Sequence, residues 1–166
     1  PFDEPDVAGS KEKTRRILSG NIIPSAPADY LDALLAPARP GEFAAVLAFL
    51  DPTPETDRAL GTLRAALSRR LGLPVTVGYG PRYLHSTGQF HKAGPDRGRF
   101  LLLTADPVKD IPILAIAGGA SSLGVLLKAQ ALGDRMALEQ KGRKVTAVDL
   151  GSDAAAGILD LARRVG

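Results

Sequence analysis

The chain contains no cysteine. That absence excludes thiol nucleophiles, cysteine-ligated zinc and disulfide frameworks together, and it is compatible with a reducing compartment. Aromatic residues make up only 5%, too few for the stacking platforms on which single-stranded nucleic acids are held. No apolar run approaches the ~20 residues that span a bilayer, and no basic-then-apolar leader opens the sequence. The expectation is a cytoplasmic protein with no membrane and no nucleic acid among its partners. A one-sided charge is missing too. The 21 basic and 18 acidic residues leave +3 and are mixed along the chain, a balance that serves solubility and suits a phosphorylated small substrate equally well.

What is present is globular. A chain of 166 residues is long enough to bury a core as one domain without disulfides or a structural metal. Hydrophobic residues at 45% and charged residues at 23% exclude a disordered chain, and 18 glycines with 13 prolines divide it into short elements. No internal repeat appears at solenoid periods.

The opening Phe2 to Val7 reads as a sharp entry into a helix running to about Leu18. Gly20, Asn21, Pro24 and Pro27 then make a loop, because these residues set or break the dihedrals a helix needs. A short helix is expected around Asp29 to Leu35. From Phe43 to Leu50 the chain is continuously apolar over strand length, the pattern of a strand covered on both faces. Thr53 followed by Pro54 gives an N-cap and a proline at the first helical position. Leu60, Leu63, Leu67 and Leu71 form one face of that helix, and Gly72 stops it.

Further strands are expected at Pro74 to Tyr79, Arg99 to Thr104, Ile111 to Ala117 and Lys144 to Leu150. Two helical stretches fall between the last two strands: Leu123 to Leu132, then Arg135 to Lys141 capped by Asp134 and stopped by Gly142. Ser152 or Asp153 caps a final helix whose Arg163 and Arg164 complement its dipole. Strands alternating with helices argue for a three-layer α/β/α fold around a mostly parallel sheet of about five strands. The division expected is a helical segment over residues 1–36 and an α/β domain over 37–166.

The segment from Gly78 to Pro95 carries the most chemistry. It holds both histidines, His85 and His91, with Arg82, Lys92, Ser86, Thr87 and Gln89, and it follows a strand on the side where open α/β sheets bind ligands. Ser86, Thr87 and the Gly88 amide are candidates to cradle a phosphate, since hydroxyls and backbone donors converge on oxyanions where glycine permits close approach. His85 and His91 lie six positions apart, which does not place two metal ligands on one helical face, so no metal site is expected. A polar loop whose histidines satisfy backbone carbonyls is the plainer alternative. The Gly118 to Ser122 turn before a helix lacks both the P-loop lysine and the dinucleotide spacing; a serine N-cap accounts for it.

Three stretches resemble known proteins. Phe2, Asp3, Val7 and Lys11 fall in register with the phosphoglucose isomerase signature, which reads Phe-Asp-Gln, any residue, Gly-Val-Glu, two residues, Lys. Glu4 stands where that signature has Gln, Asp6 where it has Gly and Ala8 where it has Glu. The loop from Gly78 through Pro95, most specifically its run His85-Ser86-Thr87-Gly88-Gln89-Phe90-His91-Lys92, and Leu123-Gly124 through Ala129-Gln130-Ala131-Leu132-Gly133-Asp134, resemble the C-terminal region of bifunctional transaldolase/glucose-6-phosphate isomerases.

The resemblance implies interconversion of glucose 6-phosphate and fructose 6-phosphate through an enediol(ate), with no metal or organic cofactor. It implies Lys11 as the cation near the ring oxygen and His85 as its partner in ring opening. Arg82, Ser86, Thr87, Gln89, His91 and Lys92 are then candidates for substrate and phosphate binding. It also implies partners: a sugar phosphate, upstream isomerase and transaldolase domains, and room for a homo-oligomer. None of Glu42, Glu55 or Glu139 sits in a context that marks it as the proton-shuttling base, which is expected upstream of Pro1. On that account the piece alone is expected to be inactive. The alternative is a non-catalytic domain that binds sugar phosphate or holds subunits together.

Overall fold

A computed structural model describes residues 14, 31–113 and 122–166. Its elements run α1 (Leu31–Leu35), β1 (Phe43–Phe49), α2 (Pro54–Leu71), β2 (Val75–Tyr79), a 3-10 turn (Arg82–His85), α3 (Gly88–Ala93), β3 (Gly98–Thr104), α4 (Leu123–Gln140), β4 (Lys144–Asp149) and α5 (Ala154–Val165). Among the described residues the sheet has four strands in the order β2-β1-β3-β4, and every pair is parallel. Helices cover both faces, so the fold is the three-layer α/β/α arrangement that the alternating pattern implies.

The strand expected over Ile111 to Ala117 does not extend this sheet at its described residues. Pro112 makes only an isolated antiparallel bridge with Ser122, and residues 114–117 lie outside the described ones, as does Lys11 in the expected opening helix. A proline within the run works against a central strand, because it cannot donate to the ladder.

Each central strand divides its side chains between two cores, which is why its sequence reads as unbroken apolar. Ala44, Val46 and Ala48 of β1 join Leu60, Leu63 and Leu67 of α2, and Ile158 and Leu161 of α5, on one face. Ala45, Leu47 and Phe49 pack on the other face with Tyr83, Phe100, Leu102, Ala131 and Leu138. At the end of α2 the leucine face is closed by Gly72, whose φ of 64° lies in the left-handed region that favours glycine. At its start, Thr53 accepts a hydrogen bond from the Thr56 amide, and the Thr56 hydroxyl in return accepts one from the Thr53 amide. Asp153 caps α5 through the Ala156 amide.

The short helix α1 packs against this core. Leu34 is buried with the α2 and α5 leucines, and Leu31 and Leu35 pack against them. Arg99, 2% exposed, secures it. Its guanidinium donates to the carbonyls of Leu34, Ala36 and Pro37 and pairs with Glu42 at 2.6 Å. Burial works against the charged Glu42, but the Arg39 amide and the Arg99 guanidinium more than offset it and hold its carboxyl below the usual range.

No helix among the described residues is long and apolar enough to cross a membrane.

Candidate functional site

The order β2-β1-β3-β4 sets the place of a site. The chain leaves β1 toward β2 on one side and later returns to β3 on the other, so connections diverge at the C-terminal ends of β1 and β3, where open parallel sheets bind ligands. Asp51, just after β1, accepts from the Val108 amide after β3 at 2.9 Å and ties the two connections together. Nearby, Lys128 of α4 pairs with Asp106 at 2.6 Å and with Asp149 at 3.6 Å. The hydrogen bond to Asp106, outweighing partial burial, raises the Lys128 pKa. The start of α4 is already occupied: Ser122 accepts from the Val125 amide and Asp110 from the Gly124 amide. The serine N-cap reading therefore holds at Ser122, while Gly118 to Ser121 lie outside the described residues.

The segment after β2 turns sharply at once. The Gly80–Pro81 peptide is cis, and a Cβ at Gly80 would lie 2.5 Å from the Phe49 ring, so only glycine permits this approach. The 3-10 turn and α3 follow, and the expected polar loop is divided in two by burial. Arg82, His85, Ser86 and Thr87 are exposed, whereas His91 and Lys92 are buried. Arg82 lies over the Tyr79 ring, 5.6 Å from its centroid, and Gln89 is half-buried. The Ser86 amide and hydroxyl both donate to the Tyr83 carbonyl. His85, Ser86 and Thr87 thus form one exposed group, while His91 and Lys92 face inward beneath them.

What they face is Asp134. Lys92 Nζ lies 2.5 Å from Asp134 Oδ1, with both side chains about 1% exposed, and Tyr83 donates its hydroxyl to Asp134 Oδ2. The lysine contact is an ion pair by distance rather than an aligned hydrogen bond. Burial, reinforced by the Asp134 charge, pushes the Tyr83 hydroxyl well above its usual pKa, so it stays a donor. The expectation that Asp134 starts a second helix is therefore corrected. It sits inside one continuous helix, α4, and its carboxylate serves a buried ion pair rather than a cap.

His91 packs among the rings of Phe43, Tyr83, Phe90 and Phe100, with centroids 5.2 to 6.5 Å away, and its Nδ1 has no hydrogen-bond partner among the described residues. Burial lowers its pKa to about 4, with the Asp134 charge pulling it up and Lys92 pushing it down. It is neutral near pH 7 and its ring serves the core. Arg143 closes the far end, donating to the carbonyls of Lys92 and Gly94 and pairing with Asp96 at 2.9 Å.

The glutamates at 42, 55 and 139 are each engaged with arginine: Glu42 with Arg99, Glu55 with Arg58 and Glu139 with Arg135. Among the described residues no group of acidic and histidine side chains is arranged to hold a metal ion. Sequence reasoning missed the roles of Tyr83 and Asp134. Gly133 beside Asp134 hid the signal, because it imitates the end of a helix.

This geometry defines an α/β protein with an open parallel sheet. No protein-family model and no curated protein matches the chain. The crystal structure of a hypothetical protein from Thermus thermophilus shares the fold, with a TM-score of 0.58 and 21% sequence identity. The match covers 74% of this chain and 34% of that one, so the chain spans about a third of that neighbour's length.

Proposed function

We propose that the chain is the C-terminal part of the glucose-6-phosphate isomerase portion of a bifunctional transaldolase/glucose-6-phosphate isomerase. The sugar phosphate meets the turn His85-Ser86-Thr87, and Lys11 and His85 assist ring opening. The observation that carries the reading is the His85 to Lys92 run. It is the stretch most like those isomerases, it closely follows the C-terminal end of β2, and it keeps His85 and two hydroxyls exposed while its other end is buried. Histidine is the side chain suited to exchanging protons near neutrality. A lysine ammonium near the ring oxygen would stabilise negative charge developing there.

His91 and Lys92 support the site from beneath instead of touching substrate. Burial leaves Arg82, His85, Ser86 and Thr87 with access to a ligand, beside half-buried Gln89. The proton-transfer base belongs to the upstream isomerase part, so this piece supplies part of an active site and is inactive alone. The protein is cytoplasmic, and its partners are its own upstream domains.

One observation favours a second reading, a non-catalytic binding or subunit-contact domain. Val108, Ile111, Leu123 and Val125 are all exposed apolar side chains near the start of α4, a face suited to another domain or subunit. Isomerase turnover of the longer chain carrying Lys11→Ala or His85→Ala separates the two. A loss of at least about a hundredfold is expected for each, the usual weight of general acid–base catalysis. Near-normal turnover in both would leave only the binding role.

A further inference from the structure

The exposed turn His85-Ser86-Thr87 is short, and its internal hydrogen bonds run to its own backbone: Leu84 N to Pro81 O and Ser86 N to Tyr83 O, both 3.0 Å. Fixing both ends of such a turn narrows the conformations open to it. Tyr83 precedes His85 by two positions and Lys92 follows Thr87 by five. These two side chains converge on one residue of another element, Asp134 in the middle of α4. Oδ2 takes the Tyr83 hydroxyl and Oδ1 takes the Lys92 ammonium. The Tyr83 ring is wedged edge-on against Phe49 of β1, with centroids 5.7 Å apart at 78°. Arg143 holds the carbonyls of Lys92 and Gly94.

A buried carboxylate that engages both flanks of an exposed turn is costly to bury, and replacing such a pair with apolar side chains is often neutral or stabilising. Its presence is therefore poorly explained by stability. It is well explained by fixing a geometry.

We propose that Asp134 is a positioning residue for the His85-Ser86-Thr87 turn, clamping the chain before it and the chain after it to one buried carboxylate. The identity of the ligand rests on the sugar-phosphate reading above; the clamp itself can be measured without any ligand.

Tyr83→Phe is the most informative variant. It removes one hydroxyl, keeps the ring against Phe49, and leaves the Lys92–Asp134 pair intact, so the chain stays folded. Asp134→Asn releases the second arm, and if that variant does not fold, Tyr83→Phe alone carries the test.

The first readout is amide hydrogen exchange of Leu84 and Ser86, with the amides of α5 as the control. In Tyr83→Phe, exchange in the turn rises about tenfold or more, the scale of one lost hydrogen bond to a charged group, while α5 is unchanged. The second readout is titration with inorganic phosphate and with glucose 6-phosphate, followed at the Ser86 and Thr87 amides. The apparent Kd rises about fivefold if the competent turn falls to about a fifth of the population.

Unchanged exchange at Leu84 and Ser86 overturns the proposal, as does an equal rise in α5, which would mark a purely structural role. If neither ligand shifts the turn in the unmodified chain but Tyr83→Phe still loosens it, the clamp stands and the sugar-phosphate reading falls. If both chains bind alike with equal exchange, the clamp falls and that reading stands.

Discussion

Replacing Lys92 by Met tests the buried pair directly. Methionine occupies nearly the volume of the lysine stem, so the loss is the ammonium and not the packing. Lys92 and Asp134 are each about 1% exposed on their side chains, and removing the cation leaves a carboxylate out of water with one remaining partner, Tyr83. Breaking a buried pair on one side costs about 3–5 kcal/mol, and the surviving tyrosine hydrogen bond places this case at the lower end, about 3 kcal/mol. The partner change Asp134→Asn strands the ammonium and costs a similar amount. The double variant strands no charge and costs less than either single change, giving a coupling of about 3 kcal/mol or more in the cycle. Urea unfolding measures all three: with m near 1–3 kcal/mol/M, about 3 kcal/mol moves the midpoint by roughly 1–3 M at constant m. A cost for Lys92→Met below about 1 kcal/mol, or additive single changes, would refute the buried pair and with it the clamp.

Other predictions follow from the same contacts. His91 has its pKa lowered by burial to about 4, against about 6.5 in an unfolded chain. As pH falls from about 6.5 to 4 the unfolded state takes up a proton that the fold refuses, and stability drops by about 3 kcal/mol at the acid end. That part of the pH dependence of unfolding disappears in His91→Leu, and an unchanged profile in the variant would place the loss elsewhere. Arg99→Met leaves Glu42 unpaired and the carbonyls of Leu34, Ala36 and Pro37 without their donor. It lowers stability by about 3 kcal/mol and speeds amide exchange in residues 31–37 more than in α5; a uniform change would deny the local anchor. Thr53→Ala removes the cap of α2 and costs about 1 kcal/mol by the same unfolding assay, and no measurable cost would mean that the capping box is unimportant.

Local chemistry was readable in the sequence where neighbours along the chain decide the structure. Thr53 and Pro54 start α2, Gly72 ends it, and Asp153 starts α5, because caps bond within a few positions. The unbroken apolar run of β1 announced burial on both faces. Contacts between distant positions were not readable. Tyr83 and Asp134 are 51 positions apart, and only the parallel crossover brings them together. Gly133 beside Asp134 imitates a helix break, yet tertiary packing of Ala129, Ala131, Ala137 and Leu138 carries α4 straight through. His91 and Lys92 looked like ligand groups because residue type records polarity and not direction; α3 turns both toward the core and leaves His85, Ser86 and Thr87 outside.

The proposed contact of this turn with a sugar phosphate is tested by titrating the chain with glucose 6-phosphate and with glucose, observed at the Ser86 and Thr87 amides and the His85 ring. Saturable shifts confined to these residues and their neighbours are expected with the phosphorylated sugar, and none with glucose at the same concentration. Absence of shifts there at millimolar glucose 6-phosphate, or equal shifts with both sugars, would refute the proposed contact.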